Sequence, residues 1–184
     1  MWHKLLRDAR FHLSLLEADR EIARAARNKG CPACGGRLHG AAFARKPRSG
    51  VALPAEYDIR FSFCCAEEGC RKRVTPASLR FLGRRVYLGL IVVLVAVLRH
   101  GASPTRVGRL RELVGVSRRT VERWCRWWRS EFVQTPFWRL ARGRLAKPVK
   151  PAALPSSLLK RFAGDEAGKL VALLKFLRPL SGAT

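Results

Sequence analysis

Carboxylates are scarce in this chain. Thirteen Asp and Glu stand against 37 Lys and Arg in 184 residues, a formal charge of +24. So few scattered acids make a carboxylate-based catalytic domain hard to build, and the length excludes a large multidomain enzyme. Long apolar runs are missing as well. The most apolar stretch, Val86 to Leu98, has 13 residues, whereas a membrane-spanning helix needs about 20. Its Arg84, Arg85 and Arg99 flanks suit a buried helix. The first 30 residues carry charges throughout and no continuous apolar core, so a secretory signal peptide is not expected there. Internal repeats and low-complexity tracts are absent from the sequence too. The expectation is a cytoplasmic, nucleoid-associated protein with no membrane partner. Six cysteines in a reducing compartment do not read as a disulfide framework.

What the chain has in abundance is arginine. Of its 37 basic residues, 28 are Arg, the side chain suited to bidentate contact with phosphate and guanine. A body of this size repels itself strongly at such a charge, which points to a polyanionic partner. A hydrophobic fraction of 48% and five Trp imply a folded core, not a disordered basic tail.

Four segments follow from periodicity and punctuation. Residues 1–30 form an amphipathic helix over 4–28, with Leu5, Leu6, Leu13, Leu16, Ile22 and Ala26 on one face. Glu17, Asp19, Arg20, Glu21 and Arg24 are expected on the other, and Gly30 stops the helix. Residues 31–82 hold five cysteines and two short strand patterns, 37–39 and 57–63, around a Pro/Gly loop. Residues 84–134 read as helical: a core helix at 86–98, a second opened by Ser103 and Pro104, and a third from Ser117 to about Phe132. Residues 135–184 read as a basic, Pro-rich loop and two short helices packed loosely on the body.

Cys31-Pro32-Ala33-Cys34-Gly35-Gly36 is a C-x2-C knuckle, in which glycines let backbone amides point at the sulfurs. Cys64, Cys65 and Cys70 offer three thiols for the two remaining places of a tetrahedral site. Phe61 and Phe63 share one side of an alternating strand and Cys65 continues that parity, which favours Cys65 with Cys70 and leaves Cys64 as a small buried residue. The ligand set is then Cys31, Cys34, Cys65 and Cys70, a zinc-ribbon pattern. Four thiolates leave no open position for water or substrate, so the zinc is expected to be structural. His39 is a less suitable ligand, better placed on a strand face or at a phosphate.

The segment from Arg109 to Trp124 has helix-turn-helix syntax. Leu110, Leu113 and Val114 face the core, Gly115 permits the turn, Val116 plugs the interhelical angle and Ser117 caps the next helix. Val121, Trp124 and Trp128 make its buried stripe. Arg118, Arg119, Thr120, Glu122 and Arg123 are left on the exposed face, where the second helix of this motif enters the major groove, and Ser117 and Arg126 complete the expected DNA-binding set on this helix. Arg106 and Arg109 suit phosphate positioning, as do Arg71, Lys72 and Arg73 beside the last cysteine.

GVSRRTVERW resembles the helix-turn-helix of bacterial transposases, and CPACGG followed by RFSFCCAEEGCRKRVTP resembles the zinc ribbon preceding such helices in insertion-sequence transposases. The resemblance spans roughly residues 31–132. It implies docking on double-stranded DNA, with cutting done by a separate acidic-triad nuclease domain. This chain has only Asp165 and Glu166 as carboxylates after Glu131, so that domain is not expected here; a nuclease partner chain or a homodimer is the implied assembly. The fold class expected is mainly α with a small β zinc ribbon: an N-terminal helix, a four-cysteine ribbon, a helix-turn-helix bundle and a short helical tail. The function expected is non-enzymatic, sequence-specific DNA binding, with no nucleophile–base pair or open metal position to suggest catalysis. An Arg-rich RNA-binding or ribonucleoprotein-assembly role is the alternative.

Overall fold

The computed structural model describes residues 2–45, 51–82, 108, 117–145 and 147–181. The expected 86–98 helix, the helix opened by Ser103 and Pro104, and the Gly115–Val116 turn lie outside the described residues, as do Arg106 and Arg109. The described chain is mostly helical, with a small antiparallel sheet.

The N-terminal helix is divided where the sequence suggested continuity. Helices α1 (Trp2–Arg7) and α2 (Ala9–Lys29) meet at Asp8. Asp8 is extended, and its carboxylate accepts the N–H groups of Arg10 and Phe11. A short acidic side chain that satisfies these orphan donors starts a new helix in place of extending the old one. At the other end Gly30 stops α2 at φ +77, as its position suggested. A Cβ there would lie 2.7 Å from the Gly35 carbonyl oxygen, so both conformation and space require glycine.

α2 buries Phe11, His12, Leu15, Leu16, Asp19 and Ala23. Asp19 was expected on the polar face; it is 2% exposed. Helical periodicity explains the correction, because position 19 falls between Leu15 and Ala23 on one stripe. Leu13, expected on the apolar face, is 40% exposed.

The strand expected over 57–63 is also divided. Residues Ala55–Asp58 form a single 3-10 turn that buries Tyr57. β2 (Phe43–Ala44) then pairs antiparallel with β3 (Ile59–Arg60). β1 (Leu38–Gly40), β4 (Phe63–Cys65) and β5 (Arg73–Val74) make a three-stranded antiparallel sheet, order β1-β4-β5, with Leu38 opposite Cys65 and Phe63 opposite Val74. The chain changes sheets between Arg60 and Phe63.

α3 (Arg118–Arg126) runs through a π-type turn at Trp127–Glu131 into α4 (Phe132–Gln134). Thr135 breaks the run and caps α5 (Pro136–Ala141), its hydroxyl accepting the Trp138 N–H. The sequence suggested a loop there; Thr135 followed by Pro136 is an N-cap with proline at the first helical position. α6 (Ser156–Leu159) and α7 (Glu166–Leu177) follow, α7 capped by Asp165.

The tail, expected to pack loosely, is part of the main core. Leu154, Leu158, Leu170 and Leu173 are at most 1% exposed and share one core with Leu15, Trp124 and Trp128. Leu170, Leu173, Leu174 and Leu177 stand at helical spacing, so α7 presents one apolar stripe to that core. A second, smaller core contains Ala23, Cys31, Leu38, Phe63 and Cys65. α2 contributes to both.

Candidate metal centre and basic surfaces

Two turns bring four cysteines together. In the first, Gly35 donates to the Cys31 carbonyl and Cys31 donates to the Gly36 carbonyl, each at 2.8 Å. In the second, Cys70 and Arg71 both donate to the Glu67 carbonyl at 3.0 Å. Cys65 is held on β4 by its N–H bond to the Lys72 carbonyl. The Sγ atoms of Cys31, Cys34, Cys65 and Cys70 all lie within 4.8 Å of one another. Cys34 and Cys65 are 3.4 Å apart, and Cys31 and Cys70 are 3.7 Å apart. Thiolates at about 2.3 Å from a tetrahedral ion sit ~3.8 Å from each other, so these edges fit a bound metal.

The electrostatics support the same use. The Ala33 amide draws the Cys31 thiol down to about 7, while burial pushes Cys65 up to about 12. Four neighbouring thiolates therefore need a cation to hold them ionised together. Four cysteines close enough to hold a metal ion are thus a property of the fold.

Cys64 is not in this group. Its Sγ donates to the Arg71 carbonyl at 3.4 Å on the opposite face of β4. It is half-buried, not fully buried as expected, because that face carries exposed His39 and Arg73 as its cross-strand neighbours.

The basic triplet beside the cluster divides in role. Arg71 is exposed and holds φ +45, a left-handed conformation uncommon for a residue with a side chain. Lys72 is exposed. Arg73 is engaged within the fold: Nε donates to Ser62 Oγ at 3.0 Å, a terminal nitrogen donates to the Ala41 carbonyl at 2.7 Å, and the guanidinium lies 5.2 Å from the Phe43 ring centre.

At α3, Ser117 caps the helix as expected, accepting the Thr120 N–H at 3.2 Å. Its hydroxyl also bonds the Thr120 hydroxyl at 3.1 Å. Trp124 and Trp128 are wholly buried, while Arg119, Arg123 and Arg126 are exposed. These three line a concavity of about 680 Å³ together with Glu122. The Arg118 side chain lies outside the described residues. Among the described residues no helix is long and apolar enough to cross a membrane.

One buried cluster had no announcement in the sequence. The Arg80 Nε donates to Asp19 at 2.8 Å, with side chains 0% and 1% exposed. Arg80 also donates to the carbonyls of Tyr57 and Ile59, and Asp19 accepts from the Ser78 hydroxyl and the Leu79 N–H. Nearby Arg60 donates to the carbonyls of Pro76 and Ser181, and burial lowers it to about 10. Helical phase could have flagged Asp19; nothing local marks Arg60 or Arg80.

No protein-family model, curated protein or solved structure matches this chain.

Proposed function

We propose that this chain is a non-enzymatic, sequence-specific DNA-binding protein with a structural zinc site. The observation that carries the reading is the division of α3. Trp124 of α3 and Trp128 of the turn that follows are wholly buried, and Arg119, Arg123 and Arg126, at helical spacing, are exposed along the other side of the run. A helix so divided is anchored on one side and offers guanidinium groups on the other, which suits major-groove reading. Cys31, Cys34, Cys65 and Cys70 would hold zinc with no place for a reacting water. Exposed Arg71 and Lys72 beside it suit phosphate contact. The helix-turn-helix and zinc-ribbon readings, and the likeness to transposon-end binding modules, belong to this proposal.

The test is selection from randomised duplexes at near-physiological salt, since a +24 chain binds any polyanion when salt is low. An enriched motif of several base pairs is expected. Arg119→Ala relaxes the preference at one position, a loss of ~1–3 kcal/mol for the matched base. Lys72→Ala weakens all duplexes alike and lowers the salt slope by about one. Equal loss across all sequences in both variants refutes the groove assignment. Preferential competition by folded RNA moves the function to RNA binding.

A further inference from the structure

We propose that residues 139–145 and 147–161 form a second, sequence-independent surface for the nucleic-acid backbone. Between Glu131 and Asp165 lie 33 residues without a carboxylate, carrying Arg139, Arg142, Arg144, Lys147, Lys150, Lys160 and Arg161. All seven cations are exposed. None makes an ion pair with a described carboxylate, whereas Arg20, Arg24 and Arg80 on the N-terminal half do. Solvated protein surfaces normally intersperse both signs.

This surface is built, not trailing. Trp138, Leu154, Leu158 and Leu159 beneath it are at most 4% exposed. Arg161 donates to the Pro148 carbonyl at 2.6 Å and Ser157 donates to the Lys150 carbonyl at 2.8 Å, which fasten the loop back on itself. Ring contacts lock α5 to the end of the α3 run: Trp128 to Phe132 at 4.8 Å and Phe132 to Trp138 at 5.0 Å between centroids. Cations held on a fixed scaffold lose little entropy when they meet phosphates. Its cations are spread over a short helix, 3-10 turns and loop and are not aligned along one helix face, which suits the repeating phosphate. Duplex DNA is the phosphodiester committed to, because the run from α3 through α4 leads into α5 at Thr135. The proposal takes its partner class from the reading of α3 and adds a separate contact to it.

The experiment uses the full chain with Arg139→Gln, Arg142→Gln, Arg144→Gln and Lys147→Gln combined. A control combines Arg7→Gln, Arg10→Gln, Arg27→Gln and Lys29→Gln, also exposed positions. Both remove four charges. Affinity is measured across a salt series on the selected duplex and on a random one. The first variant is expected to flatten the log–log salt slope by about 3.6, at about 0.9 for each of four lost phosphate contacts, equally on both duplexes. The control leaves the slope within about one of the parent. Equal flattening by both variants reduces the effect to net charge and overturns the site. An unchanged slope overturns it too, as does loss of binding to phosphatidylserine vesicles with DNA binding intact. If Arg119→Ala leaves sequence preference untouched, the α3 reading fails while this slope test still stands.

Discussion

At the scale of single residues, the Asp19–Arg80 pair is the most consequential feature. Both side chains are withdrawn from water, and each is saturated with bonds to other groups. Removing one partner leaves a buried charge uncompensated, which costs about 3–5 kcal/mol. Asp19→Asn is therefore expected to lose that much in urea unfolding; a loss below about 1 kcal/mol contradicts it. Adding Arg80→Met recovers only part, because the Tyr57 and Ile59 carbonyls then lack their donor. His12 gives a second residue-level prediction. Its Nε2 faces the Leu6 carbonyl at 3.1 Å, and a carbonyl only accepts, so Nε2 carries the proton and Nδ1 accepts from the Tyr57 hydroxyl at 2.8 Å. Burial lowers the His12 pKa below its usual value of 6.5. The unfolded chain then binds the proton more readily, so this contribution is complete above pH 6.5 and is lost as pH falls toward the folded value. Thermal unfolding at pH 7.5 and 5.5 reads it: His12→Gln should narrow the difference between the two, and an unchanged difference excludes His12 as its source.

At the scale of elements, the sheet module stands on very little apolar surface. Among the described residues its core is five buried side chains, two of them cysteines of the four-thiol cluster. So small a core does not hold several two- and three-residue strands alone, and a metal held by the four thiols would supply the difference. Chelation is expected to abolish amide protection in β1, β4 and β5 while α7 keeps its own. Cys65→Ser should lose the metal and Cys64→Ser should keep it, judged by metal content of the purified chain. Equal metal content in the two variants removes Cys65 from the ligand set. Much of this site was legible beforehand: the C-x2-C turn and the parity of Phe61, Phe63 and Cys65 point to the four thiols that meet. Less legible was the division of strand 57–63, because Tyr57 is drawn into the helical core by tertiary contacts that no local pattern records. The same holds for α6 and α7. Prolines punctuate that region as they would a loose tail, yet its leucines fill the space beside Trp124 and Trp128. Asp8 and Thr135 show the reverse case, helix caps readable from sequence but overridden there by a longer apolar rhythm or a proline.

At the scale of the whole molecule, charge is expected to make folding and the proposed duplex binding respond to salt in opposite directions. The excess of 37 cations over 13 anions repels itself more in the compact state than in the expanded chain. The N-terminal half offsets part of this through the Arg20–Glu17, Arg20–Glu56 and Arg24–Glu17 pairs, which are exposed and contribute little each. The 132–164 stretch has no acid with which to do the same. Screening shortens the range of repulsion from about 30 Å at 0.01 M salt to about 10 Å at 0.1 M. Raising monovalent salt from 0.05 to 0.5 M is therefore expected to raise the Tm of the free protein. Over the same range duplex affinity should fall steeply, because each counterion released on binding gains less entropy in a more concentrated solution. A saturating duplex at low salt replaces the missing anions and raises Tm further by mass action. Scanning calorimetry with and without duplex across the salt series separates these effects. A free-protein Tm that falls with salt would mean that the attractive pairs of the N-terminal half outweigh the repulsion of the basic surfaces. The case for a polyanion as the partner that completes this fold would then be lost.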